Sequence, residues 1–370
     1  MKSEWYNINE IDAIDSPALV VYIDRVIHNI KESILMTGDA KRLRPHVKTH
    51  KTKEVVQLLL NEGVTRFKCA TIAEAEMLAL VGAPDVLLAY QPTVPKIKRL
   101  IKLMQKYEHV HFSCVVDNNQ SVKNIAAEAS VNRLEIPVYI DLNVGMNRTG
   151  IVPGNEVLEL FRYCSVTPGV TPVGLHVYDG HIRQTDLAQR TIECDKVFEP
   201  VFNLQHALLN EGFKEVVIVA GGSPTFPIHA KNKNVECSPG TFVFWDRGYE
   251  LAFPEQKFLP AALVVTRVIS IPGRQKLCLD LGHKSIAAEN ILDKRVFFLN
   301  APELKFISQS EEHLVVETET EHSYKVGDLL YGIPYHICPT ISLYERALVI
   351  ENHSLKEEWK IIARDRKITI

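Results

Sequence analysis

The sequence predicts an α/β chain: a (β/α)8 barrel of the TIM type followed by a C-terminal all-β domain. Three observations carry this. Short apolar, β-rich runs alternate with helix-spaced segments eight times over roughly 210 residues, the count such a barrel needs. Polar and glycine-rich clusters fall at the ends of those runs, where barrels of this kind gather reactive groups. After about residue 255 the long helical patterns stop and only strand-like runs remain.

Taken in order, the chain first offers "PALVVYIDRVIHNIKESIL", a β-rich stretch (18–23) leading into a helical pattern. That first stretch has no barrel partner and is expected to pair with the C-terminal strands, which would make the β domain discontinuous. The eight barrel runs are "RLRPHVKT" (42–49), "RFKCAT" (66–71), "DVLLAY" (85–90), "HFSCVVD" (111–117), "PVYIDL" (137–142), "PVGLHV" (172–177), "VVIVAG" (216–221) and "TFVFWD" (241–246). Between them lie helical segments such as "TKEVVQLLLNEG" and "VFNLQHALLNEG", each closed by glycine, a residue suited to helix C-termini. "AALVVTRVISIP", "HLVVETE" and "RALVIEN" are typical of the strand-only remainder. The barrel is assigned to residues 25–255 and the β domain to 256–370 plus 1–24. A doubly wound open sheet is the competing arrangement.

Bulk properties narrow the function classes. A chain of 370 residues, 46% hydrophobic, with net charge −3, buries a large core and has no general attraction for nucleic acid or anionic membrane. Seven cysteines without a CxxC pair do not suit a disulfide framework, so a reducing cytoplasm is expected. The polar N-terminus does not read as a signal peptide, and no apolar run approaches the ~20 residues that span a bilayer.

Several clusters can carry chemistry. "RPHVKTHK" (44–51) ends the first run with Lys48 and His50; it reads equally as a solvated basic loop or as the site of one reactive amine. "AGGSPT" (220–225) offers backbone N–H groups of Gly222, with the hydroxyls of Ser223 and Thr225, to a phosphate. "SPGT" (238–241), with Gly240 and Thr241, is a second such turn, and phosphate sites are frequent in the last two loops of these barrels. Plain glycine turns have the same composition. "DLNVGMNRTG" (141–150) carries Arg148, a surface arginine or a guanidinium over an anionic oxygen. "YHICP" (335–339) places His336 and Cys338 two apart; in an extended segment they share a face and can share one Zn2+, or they are a buried thiol beside a half-buried imidazole. "LDLGHKS" (279–285), with His283 and Lys284, and "SEEH" (310–313), with His313, are charged patches of the β domain.

"RPHVKTHK", "NVGMNRTG", "GGSPT", "SPGTFVFWD" and "HICPT", in this order, resemble the D-threonine aldolase and D-serine dehydratase family. Its members are fold-type III pyridoxal-phosphate (PLP) enzymes, related through the barrel to alanine racemase. The resemblance spans essentially the whole chain. It implies that Lys48 forms the Schiff base with PLP and that Lys51 is a supporting charge. It likewise implies that Arg148 lies near the phenolic oxygen, and that Ser223, Gly240 and Thr241 take the phosphate. Alanine racemases carry an arginine facing the pyridine nitrogen where this chain has Ser238, so racemase-type control is not implied; in the aldolase and dehydratase branch a tyrosine faces that nitrogen, and Tyr178 is the candidate. His336 and Cys338 match the family's divalent-metal ligands, and a cysteine there favours Zn2+ over Mn2+ or Mg2+. His181 or His176 is the expected base. D-threonine cleavage to glycine and acetaldehyde is the leading activity, D-serine dehydration to pyruvate and ammonia the alternative, and a non-catalytic PLP-binding protein a remote one. A homodimer in which the β domain helps to close the active site is expected. Arg44, His46 and His50 are expected to keep Lys48 a free amine by disfavouring further positive charge.

Overall fold

The computed structural model describes residues 4–370. The described chain divides into two compact units: residues 33–48, 53–240 and 365–370 form one, and residues 4–32, 49–52 and 241–364 the other. Strand β1 (Ala18–Tyr22) and helix α1 (Ile23–Thr37) open the chain.

The first of these units is the barrel. Strands β2 (Arg66–Cys69), β3 (Asp85–Leu88), β4 (His111–Val116), β5 (Ile136–Leu142), β6 (Val170–Val177), β7 (Val217–Ala220) and β8 (Val235–Cys237) form one parallel sheet in chain order. Residues 43–48 complete the ring without becoming a regular strand. Leu43 bridges to Cys237 of β8 and His46 to Lys68 of β2, both parallel. Arg44 N donates to Cys237 O, and Val47 N to Lys68 O. Pro45 has no N–H to give, which is one reason that the predicted first strand is reduced to single bridges. Helices α2 (Lys53–Asn61), α3 (Ile72–Leu80), α4 (Val94–Lys106), α5 (Asn119–Val131), α6 (Asn155–Val166), α7 (Leu187–Asn210) and the short α8 (Phe226–His229) alternate with the strands. Three of these helices start on side-chain caps: Thr71 accepts from Glu74 N, Asn118 from Ser121 N and Asp186 from Gln189 N.

The eighth strand is a correction. It is "VEC" (235–237), not "TFVFWD", which turns into a 3-10 helix at Thr241–Val243. Phe242, Phe244 and Trp245 are all buried, so the apolar run reflects burial and not strand geometry. The Ser238–Thr241 turn therefore follows the eighth strand, at its C-terminal end.

The lumen is filled in layers. Leu87, Val115, Tyr139 and Val219 form its apolar cluster. Arg44 is almost completely buried and closes the N-terminal end: Nε lies 2.6 Å from Glu236, and its two terminal nitrogens lie 2.5 and 3.1 Å from the Asp85 carboxylate.

The other unit is a nine-stranded sheet. Strands β9 (Ala262–Gly273), β10 (Lys276–Leu279), β11 (Val296–Phe298), β12 (Lys305–Gln309), β13 (Leu314–Glu317), β14 (Leu329–Pro334), β15 (Arg346–Glu351) and β16 (Ser354–Lys360) join β1 in it, with helices α9 (Arg247–Ala252) and α10 (Ile337–Ile341) alongside in the sequence. The N-terminal β1 lies between β9, antiparallel, and β15, parallel. One apolar cluster is built on Leu277, Leu279, Leu314 and Val316, another on Val20, Tyr22, Leu263 and Val265. The two charged patches seen in the sequence meet each other here. Lys284 Nζ sits 2.6 Å from Glu311 and 3.1 Å from Glu312, and His283 N donates to Ser310 O. Among the described residues no helix is long and apolar enough to cross a membrane.

Candidate active site

The strand ends of the barrel bring several of the singled-out residues together. Lys48 ends the ring-closing segment half-buried, its backbone N donating to His46 Nδ1 at 3.2 Å. Its Nζ lies 5.7 Å from the centre of the Tyr178 ring, just past β6, and the Arg148 guanidinium lies 4.8 Å from the same centre. A methyl group on Gly180 would fall 2.4 Å from that ring, so glycine is required for Tyr178 to lie where it does. One amine and one guanidinium thus converge on one aromatic ring.

His176 sits one pleat below Tyr178. It is buried, and its Nδ1 is 2.7 Å from Asp141 Oδ1 on the adjacent strand, in direct register. Burial, above all, pulls His176 below the ordinary histidine range, despite Asp141. Asp141 is held below the usual carboxylate range although burial opposes this, through hydrogen bonds from His176, Thr149 and Gln91. The neutral ring therefore donates Nδ1–H to Asp141 and presents Nε2 as an acceptor. That Nε2 is buried and has no hydrogen-bond partner. His181, the other base candidate, is exposed and packs its ring over Gly145 of the Arg148 loop.

The glycine loop after β7 rests on a residue the sequence reading passed over. Asp179, fully buried, accepts from Gly222 N at 3.1 Å and from Thr225 Oγ1 at 2.9 Å. Its other oxygen is 2.7 Å from His229 Nε2. Cys194 Sγ lies 3.7 Å from the same nitrogen, and the three donors form one buried group. Each Asp179 oxygen already has a protein donor, and burial pushes the Cys194 thiol up, so this is a hydrogen-bonded anchor for the loop. Ser223 and Thr225 are buried in that loop; Gly240 follows β8.

The expected basic neighbourhood of Lys48 is different in kind. Arg44 is neutralised by Asp85 and Glu236. His50 is pulled down to about 3 by burial and by Lys51, and is uncharged at neutral pH. The cation that does share the lumen is Lys68 of β2, also passed over. It is buried, and burial first, then Lys48, pull it down to about 7. Because the folded Lys68 holds its proton less tightly than the unfolded ~10.4, the unfolded state binds more protons between pH 7 and 10, and stability should rise through that window. Unfolding by urea at pH 6.5 and pH 9 checks this. Lys68→Met is expected to remove the rise and to stabilise the protein by about 1–4 kcal/mol at pH 6.5.

In the other unit, His336 and Cys338 straddle the start of α10, so they are not in the extended segment expected; a side-chain hydrogen bond nevertheless joins them. Thr49 Oγ1 and Thr241 Oγ1 lie 3.1 and 3.6 Å from Cys338 Sγ. In the chain, Thr49 directly follows Lys48 and Thr241 follows Gly240. Glu289 Oε1 holds His336 Nδ1 at 2.5 Å, leaving Nε2 as the nitrogen for a cation. Burial lowers His336, but Cys338, Asp246 and Glu289 outweigh it and push it up to about 9. A thiol and an imidazole with hydroxyls and a carboxylate beside them suit Zn2+ as a donor set.

Comparison with known proteins follows this geometry. The family model for the alanine racemase N-terminal domain matches residues 21–247, and one for a serine dehydratase domain matches 261–350. A 3-hydroxy-D-aspartate aldolase of Paracoccus denitrificans (strain Pd 1222) is 25% identical over 95% of this chain and 93% of its own length. A D-threonine aldolase of an Arthrobacter species is 26% identical over the same shares. The crystal structure of D-threonine aldolase from Filomicrobium marinum superposes with a TM-score of 0.88 at 23% identity, covering 97% of each chain, and so shares the fold.

Proposed function

Because the chain belongs to the alanine racemase N-terminal domain family, we propose that it is a PLP- and metal-dependent lyase of D-3-hydroxy amino acids, most specifically a D-threonine-type aldolase. The observation that carries this is the convergence of Lys48 and Arg148 on Tyr178 at the barrel's strand ends. The residues present fit the cofactor. Lys48 offers the amine that holds it, Arg148 a guanidinium for an anionic ring oxygen, and the Ser223 and Gly240 turns its phosphate. Once bound, PLP supplies an electron sink for the carbanion left by bond cleavage. A divalent cation on His336 and Cys338 would supply Lewis acidity for a substrate hydroxyl.

The chain's own residues handle the proton. In the aldolase reading His176 Nε2, unpartnered and held in its tautomer by Asp141, accepts the hydroxyl proton as the Cα–Cβ bond breaks. His181, exposed over the Arg148 loop, is the second candidate for that proton. The dehydratase reading is favoured by the match of residues 261–350 to a serine dehydratase domain. There the freed Lys48 amine takes the Cα proton instead. A homodimer belongs to the same proposal.

Incubating the holoenzyme with D-threonine and Zn2+ or Mn2+ tests the reading. Glycine and acetaldehyde are expected. A drop of about tenfold or more in EDTA is also expected, reversed by the added ion. 2-Oxobutanoate with ammonia would replace the aldolase by the dehydratase. No product from any D-3-hydroxy amino acid would overturn both.

A further inference from the structure

Lys68 occupies a position where an apolar side chain would be expected. It pairs in register with His46 on one side and Leu87 on the other, and Leu87 belongs to the inward-facing cluster of the lumen. Lys68 is 2% exposed. Among the described residues no carboxylate lies within 4 Å of its amine. A buried cation without an ion pair is costly, and a methionine or leucine would fill the same space more favourably. Arg66, which shares its pleat parity on β2, has Glu236 3.0 Å away, whereas Lys68 has no such partner, so neither packing nor charge neutralisation accounts for the lysine.

The groups Lys68 faces come from three sides of the barrel. The ring-closing segment contributes Arg44, His46 and Lys48, β5 contributes Asp141, and β6 with its following loop contributes His176 and Asp179. Arg44 is committed to Asp85 and Glu236, and Asp179 to the glycine loop and His229. His46, Lys48, Asp141 and His176 remain, and of these His176 carries the ring nitrogen left open for a proton. His176 faces Asp141, Lys68 and Arg148, and only its Nε2 lacks a partner.

We propose that Lys68 is a positioning residue for the reaction: its buried positive charge, set in the barrel lumen, keeps His176 unprotonated so that Nε2 stays available as the base. This rests on the proton-accepting role given above to His176. The sign is consistent. Below about pH 7 Lys68 carries its charge, and a second positive charge on His176 is disfavoured in the acidic range where His176 would otherwise be lost as a base.

The test uses the holoenzyme of Lys68→Met, Lys68→Gln and Lys68→Arg. In the Met and Gln variants the acidic limb of kcat/KM should move upward by about one pH unit, the order expected on loss of a cation from a buried, low-dielectric site. Carbon-13 NMR of the His176 ring should show the same upward movement, a readout independent of turnover. Lys68→Arg, which keeps the charge, should restore both. Should the Met variant not fold, the Gln variant gives the same reading. If the limb and the ring titration match the wild type in the uncharged variants, or if Arg fails to restore a moved limb, the proposal is overturned. A visible cofactor band that is missing from wild-type holoenzyme, or the absence of turnover with every D-3-hydroxy amino acid, would instead bring down the functional reading.

Discussion

Lys48→Ala is expected to abolish the visible absorbance of the PLP-loaded protein and to lower turnover by about three orders of magnitude or more. The amine that would hold the cofactor stands at a strand end, within 5.7 Å of the Tyr178 ring centre. Lys51 cannot replace it: it lies three residues on, beyond Thr49, which is directed to Cys338. Lys68 cannot either, because its amine is enclosed in the lumen. Alanine removes the amine and little else, since Lys48 is only half-buried, so circular dichroism should be unchanged. Adding methylamine should return part of the turnover, because a free amine can stand in for the missing one. A visible band that persists in Lys48→Ala would refute the assignment.

Arg44→Leu should be the most damaging single change to stability, costing about 3–5 kcal/mol by removing the partner of two carboxylates at the closed end of the lumen. Glu236 keeps Arg66, 3.0 Å away, but Arg66 is more exposed and reaches the other oxygen. Asp85 keeps no cation among the pairs recorded for the described residues. The triple change Arg44→Leu, Asp85→Asn, Glu236→Gln should recover much of the loss, because what hurts is the uncompensated charge and not the missing pair. Urea unfolding of the single and triple variants decides this. A single variant within 1 kcal/mol of wild type would show that water reaches the carboxylates freely.

The alternation of strands and helices was legible because parallel barrel strands are buried on both faces and read as continuous apolar runs. Legibility failed where an element is short or charged. "VEC" has three residues and one of them is Glu236, committed to Arg44, so nothing marks it as a strand; "TFVFWD" has the better pattern and is a turn. Helix α7 begins at Leu187, well before the run "VFNLQHALLNEG" that announced it, and runs through Pro200. The grouping of Lys48, Arg148 and Tyr178 was legible from residue types at strand ends. The groups that condition it were not: Lys68 is one lysine in an apolar run, and Asp179 one acid in a loop. One sign was available, since Lys68 has the pleat parity of Leu87 and Tyr139, but parity needs the register that only the folded chain supplies. The electrostatic reading of "RPHVKTHK" erred because formal charge was counted without partners: Arg44 is paired and His50 is neutral.

The place of β1 bears on how the chain is made. Its two neighbours, β9 and β15, begin about 240 and 330 residues after it. At a synthesis rate of about 5–20 residues per second, both edges of β1 wait roughly 12 to 48 seconds on the ribosome before β9 emerges, and one edge roughly 16 to 66 seconds for β15. The barrel strands, each next to its predecessor, need no such delay. The apolar "ALVVY" segment is thus the part of the nascent chain longest in need of a chaperone, and the nine-stranded sheet should be the last element to reach protease resistance after release.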